Sequence, residues 1–232
     1  MPEEAESRDT EAQAHAILDE LKRQKLGDPS VFGGRADILD RVRNYEKQET
    51  DLIQQTISIA SARGDDIEKL ALLDPLTELY NPRTFLKELK AELSRAKRYG
   101  HPVAIIMLGI DGLEGIKEQY GILTMDAVAK VTANVIREGI REVDLAARYS
   151  LNEFTVVLPQ THAGGAALTA ERLRARMGNQ AINHNWQAFS VTASVGVAAF
   201  PHNASDYDEL IARAWEALDY ARGRGGDRVF CV

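Results

Sequence analysis

LAARYSLNEFTVVLP, Leu145 to Pro159, reads as two strands around a short turn. A strand-like stretch ends at Tyr149, the mostly polar tetrad Ser150, Leu151, Asn152 and Glu153 follows, and Phe154 to Leu158 is again rich in β-branched and aromatic residues. Outside this hairpin the chain alternates. VAIIMLGI (Val103 to Ile110) is a continuous apolar run, FSVTASVGVAAF (Phe189 to Phe200) has strand composition throughout, and DRVFCV closes the chain as another strand. Between them, TFLKELKAELSRAKRYG, MDAVAKVTANVIREGI, GGAALTAERLRARMG and SDYDELIARAWEALDYARG carry apolar stripes at helical spacing, and several end at glycine. One hairpin within alternating strands and helices predicts an α/β domain, a mixed sheet covered by helices.

The first 71 residues have a different pattern. Glu11 to Leu26 places Ile17, Leu18 and Leu21 at helical spacing and stops at Gly27, with Pro29 beyond. Ala36 to Ala62 spaces Ile38, Val42, Tyr45, Leu52 and Ile59 as a heptad seam, interrupted by Glu49 and Thr56. The chain therefore divides into a helical region, 1–71, suited to joining two copies or a partner protein, and an α/β domain, 72–232.

Composition excludes several classes. In 232 residues, 44% are hydrophobic and 27% charged, enough apolar material for a sizeable core. A net charge of −7 argues against a general nucleic-acid binder. The single cysteine, Cys231, offers no disulfide framework or cysteine-based zinc site and fits a reducing cytoplasm. The acidic start MPEEAESRDTEAQ lacks signal-peptide order, and no apolar run approaches the ~20 residues that span a bilayer. His184 and His202 have no ligand partners at metal spacing, the Gly164-Gly165 pair and GRGGD read as turns, and Trp186 and Trp215 as packing or surface residues.

DPLTELYNPRTF, Asp74 to Phe85, resembles the opening signature of the GGDEF family, diguanylate cyclases that condense two GTP into cyclic di-GMP. Asp74, Leu76, Thr77, Leu79 and Asn81 match in register, and the resemblance runs on through LGIDGL, YGILTMDAV, RYSLNEF, VTASVGVA and the GRGGDRV region. It covers Leu72 to Val232 and implies a five-stranded sheet flanked by helices, related to nucleotide cyclase and polymerase palm domains. It also implies two metal ions, held by an Asp ending the first strand and an acid in the signature turn. Here Gly109 stands at the first place and Asn152 at the second, while Asp111 and Glu153 remain. Mg2+ wants anionic oxygen ligands, so loss of two acids predicts no Mg2+ site, no required cofactor and no cyclase activity. Asp111 could rescue a weak site only if its strand continues past Ile110.

Other positions implied by the resemblance depart in the same direction. Ser150 and Leu151 replace the glycines that let the turn approach nucleotide, Lys117 replaces a guanine-binding Asn, Glu114 a phosphate-binding Lys, and Gly226 a phosphate-binding Arg. Asp126 and Arg222 survive as possible residual GTP contacts. In this family an Arg-x-x-Asp product site lies five residues before the signature turn; REVD, Arg141 to Asp144, stands there, with Arg172 at the place of its second arginine. Guanidinium can fork onto phosphate or the guanine O6/N7 edge, and a carboxylate accepts from guanine N1 and N2. The bland alternative is an Arg141–Asp144 surface ion pair and a solvated Arg172 beside Arg174 and Arg176. The reading is thus an inactive cyclic di-GMP receptor. Its alternatives are a nucleotide-independent scaffold and a GTP sensor or very weak cyclase using Asp111, Asp126 and Glu153.

Overall fold

The computed structural model describes residues 72–184 and 187–232. The two helices expected within 1–71, and Trp186, lie outside the described residues. Leu76–Val232 forms one unit. It begins with helix α1, Pro82–Tyr99, started by Asn81, whose side chain accepts from the Thr84 N–H, and stopped by Gly100 in the left-handed conformation. The remaining elements are β1 (Val103–Ile110), α2 (Leu113–Tyr120), α3 (Thr124–Gly139), β2 (Leu145–Arg148), β3 (Glu153–Pro159), α4 (Ala163–Asn179), β4 (Ile182–His184), β5 (Gln187–Phe189), β6 (Ala193–Phe200), α5 (Tyr207–Gly223) and β7 (Val229–Cys231).

The central sheet has the order β2-β3-β1-β6-β7, antiparallel except for the β6–β7 pair, which makes it mixed as expected. Strand β1 is buried at all eight positions, which is why it reads as an unbroken apolar run. Alternation divides its side chains between two cores. Ala104, Ile106, Leu108 and Ile110 join the side of α3 and α4, with Val128, Ile136, Leu173 and Met177; Val103, Ile105 and Met107 join the side of α1 and α5, with Phe85, Leu89, Leu210 and Leu218. The sheet has one edge at β2, where Tyr80 forms a parallel bridge to Ala147 through Tyr80 N–H to Ala146 O and Arg148 N–H to Tyr80 O. The three-residue β7 forms the other.

Two expectations need correction. The stretch from Phe189 to Phe200 is not one strand: Phe189 ends β5, which pairs with β4 in a separate hairpin, and β6 begins at Ala193. Between the two strands, Thr192 is held at the end of β1: its O accepts the Asp111 N–H and its hydroxyl donates to the Asp111 carboxylate. Gly164 and Gly165 do not form a turn but lie in the first turn of α4.

Candidate functional site

The β2–β3 turn closes with two backbone bonds, from Tyr149 N–H and Ser150 N–H to Glu153 O, and is stitched to the end of β1 by Ile110 N–H donating to Asn152 O. Ser150 Oγ donates to Glu153 Oε2, and Leu151 points into solvent. At the base of the hairpin, Tyr149 is gripped edge-on by Phe85 of α1 and Trp215 of α5, with ring centroids 5.8 and 5.7 Å away. Burial pushes the Tyr149 hydroxyl up to about 12, against a hydrogen bond from Trp215 and with help from the Glu153 charge. Trp215 is therefore a packing residue that fixes the hairpin.

Gly109 lies directly opposite Glu153 on β3 and Ser194 on β6, so the three form one row across the sheet. The row faces α5, whose last turn carries Arg222. Arg222 Nη2 donates to Glu153 Oε1 at 3.0 Å, and the guanidinium lies over Gly109 so closely that a Cβ there would be 2.0 Å from Nη2 and 2.6 Å from Cζ. Both Glu153 oxygens are thus occupied, by Arg222 and by Ser150.

Asp111 does not continue the strand. β1 ends at Ile110, and the Asp111 carboxylate accepts from Ser194 Oγ at 2.8 Å, Thr192 Oγ1 at 2.9 Å and the Asp227 backbone N–H at 2.9 Å. This cradle ties the end of β1 to β6 and to the glycine turn before β7. Gly226, at φ 73°, lets that turn approach; a Cβ there would lie 3.1 Å from Asp111 Cγ. With no side chain at 109, a guanidinium above it, and Asp111 and Glu153 both engaged, these residues do not fit the metal pair implied by the sequence resemblance. Among the described residues, no group of three His, Cys, Asp or Glu side chains could hold a metal ion. Of the residual nucleotide contacts, Asp126 is exposed in the first turn of α3, but Arg222 is committed to Glu153. Glu114 and Lys117 are exposed on α2, a helix that the sequence reading did not anticipate.

REVD forms the turn between α3 and β2. Asp144 N–H donates to Arg141 O, and Asp144 Oδ2 accepts the Arg141 backbone N–H at 2.8 Å. No Arg141–Asp144 ion pair exists: the carboxylate is buried against backbone while Arg141 is exposed. Asp144 Oδ1 is also buried and has no hydrogen-bond partner. From α4, Arg172 Nη2 donates to Gly139 O at 2.6 Å, two residues before Arg141. Neighbouring Arg176 donates to Glu138 O, and Arg174 pairs with Glu171 and Asp227. The arginines of α4 are thus docked, two of them on the carbonyl end of α3, where cations are favoured. Arg172 thus reaches the end of α3 that leads into REVD, although in sequence it is separated from REVD by the whole hairpin.

The Arg222–Glu153 pair and the roles of Thr192 and Ser194 were missed by the sequence reading. Pairing Gly109 with Glu153 across the predicted strands would have signalled the first: a carboxylate facing a glycine leaves room for a long cation. His184 ends β4, and His202 lies in the turn after β6. No helix among the described residues is long and apolar enough to cross a membrane.

Residues 71–228 match the family described as diguanylate cyclase, GGDEF domain. The chain is 30% identical over 215 residues to Diguanylate cyclase DgcP of Pseudomonas aeruginosa, covering 92% of this chain and 31% of DgcP. It is 29% identical over 204 residues to Response regulator PleD of Caulobacter vibrioides, covering 87% and 42%. The chain thus spans less than half the length of these relatives. Among solved structures it resembles the GGDEF domain of DgcB from Caulobacter crescentus in complex with c-di-GMP (TM-score 0.66, 27% identity, 69% of this chain and 95% of that one). It also resembles diguanylate cyclase SiaD of P. aeruginosa in complex with its activator SiaC (TM-score 0.66, 29% identity, 97% and 87%).

Proposed function

The chain belongs to the GGDEF family of diguanylate cyclase domains, and from that premise we propose that it is a catalytically silent member that binds cyclic di-GMP on Arg141, Asp144 and Arg172. The observation that carries the reading is the hydrogen bond from Arg172 to Gly139 O, which brings an arginine of α4 beside the REVD turn. Arg141 and Arg172 supply forked donors for phosphate or the guanine O6/N7 edge. Asp144 has one acceptor oxygen without a donor, a buried deficit that a guanine N1 or N2 hydrogen would relieve once the turn opens. Binding can act on the rest of the protein only if the ligand prefers one arrangement of it over another. Silence follows from Gly109 and from the engaged carboxylates of Asp111 and Glu153. Two-metal phosphoryl transfer needs both attacking and leaving oxygens clamped, and these residues offer no clamp.

Isothermal titration with cyclic di-GMP tests the receptor reading. Wild type should bind, and Arg141→Ala combined with Asp144→Ala should not. No binding by wild type at high micromolar ligand would sink it, and retained binding by the double variant would move the site elsewhere. Cyclic di-GMP formed from GTP with Mg2+ or Mn2+ would overturn silence. The region before Leu72 is proposed to join two copies or a partner protein, on the strength of its heptad spacing; a stable oligomer lost on its removal is the expected result. The second reading, a nucleotide-independent scaffold, draws on the exposed Val143, Leu151 and Leu168. It predicts no thermal shift with either GTP or cyclic di-GMP.

A further inference from the structure

We infer that Arg222 is a built-in replacement for the metal: its guanidinium supplies, from within the chain, the positive charge beside Glu153, and Gly109 is the residue that makes room for it. This rests on the catalytically silent reading above and says what holds the silent site together. Gly109 has no positive φ to explain it, and a glycine inside a central strand otherwise weakens the sheet. The close approach of Arg222 accounts for it: a Cβ at 109 would stand 2.0 Å from Nη2 and 2.6 Å from Cζ, so the guanidinium, the free end of a flexible side chain, would have to leave its place over the strand. Charge completes the argument. Glu153 is 9% exposed and sits opposite Gly109; without a counter-ion it would be a buried, unpaired carboxylate. A divalent cation entering there would have to expel the guanidinium and break the pair. Arg222 is equally withdrawn from any phosphate.

It follows that restoring an acid at 109 is not enough to restore a metal site, because the new carboxylate would meet Arg222 first. Manganese binding, read by electron paramagnetic resonance of free Mn2+ and by thermal shift, separates the possibilities. Wild type and Gly109→Asp should bind no Mn2+ at this site. Gly109→Asp combined with Arg222→Ala, which places two carboxylates opposite each other with no cation between them, should bind at least about tenfold more tightly than either. Stoichiometric Mn2+ binding by wild type, or Gly109→Asp alone binding as well as the double variant, overturns the inference. A double-mutant cycle covers the case in which the double variant fails to fold. Arg222→Met should lower the melting temperature and adding Glu153→Gln should recover most of the loss; additive losses would overturn the pairing. The outcomes are separable. Mn2+ binding by wild type without turnover removes this inference and leaves silence standing, turnover removes both, and failure of cyclic di-GMP to bind touches only the receptor reading.

Discussion

Asp111→Ala tests whether the surviving strand-end carboxylate is a structural cross-link or a remnant ligand. In the structure it receives three donors: two hydroxyls from β6 and its approach, and one backbone N–H from the turn before β7. Hydrogen bonds to a charged acceptor contribute about 1.5–3 kcal/mol each, and they are not additive when they share one carboxylate. The site is only partly buried, so water replaces some of what is lost; a net cost of about 3 kcal/mol is expected for alanine. For a domain of this size that corresponds to a fall in melting temperature of roughly 6–12 °C. Asp111→Asn discriminates further. Its amide oxygen can keep the Asp227 N–H, and its nitrogen can donate to Ser194 Oγ, which accepts as readily as it donates, so the cost should be about 1 kcal/mol. Thermal unfolding followed by circular dichroism, with urea titration to check that the slope is unchanged, measures both. The reasoning is refuted if Asp111→Ala melts within about 2 °C of wild type, or if the alanine and asparagine variants lose the same amount.

Gly196→Ala should be among the most damaging single changes. A Cβ there would stand 2.2 Å from Ala214 O and 2.3 Å from Leu218 N, both backbone atoms of α5, so the helix must lift off the sheet; a loss of at least about 3 kcal/mol is expected in the urea midpoint. Tyr149→Phe should change the alkaline limb of stability. In the fold the phenol keeps its proton up to about 12 and in the unfolded chain loses it near 10.0, so the unfolded state binds fewer protons between those values and wild-type stability falls as pH rises through them. That component, up to about 1.4 kcal/mol per pH unit, should be missing from the phenylalanine variant when urea midpoints are compared on either side of pH 10.0. Arg172→Ala removes one part-buried bond to the carbonyl end of α3 and should cost about 1 kcal/mol of stability, while weakening cyclic di-GMP binding by at least about tenfold. Equal binding by the two proteins would detach Arg172 from the ligand.

Much of the fold was legible because its signals are local. The apolar run of β1, the polar tetrad between β2 and β3, and the glycine ending α1 each declare their structure within a few residues. The false continuation of β6 back to Phe189 has the opposite character: Val191 and Thr192 have strand chemistry, and only the change of partner, Phe189 pairing with Ile182 of β4 and Ala193 with Ile110 of β1, separates the two strands. Helix α2 escaped notice because it has eight residues and contains Gly115, leaving little periodicity to read. At the site, the absent acids at 109 and 152 could be read directly. What filled the space could not, because Arg222 reaches Gly109 through the docking of α5 on the sheet. REVD showed its spacing, but not that its aspartate turns inward onto its own backbone.

The two borders of the sheet have a consequence for how this domain can meet other chains. At one border Tyr80 already occupies hydrogen-bonding positions beside β2; at the other, β7 offers only three residues. Neither presents the long row of unpaired amides and carbonyls that recruits a foreign strand. Association of the central sheet by backbone zippering is therefore disfavoured, and recognition around it falls to side chains on helices and turns, where single substitutions can tune or abolish it.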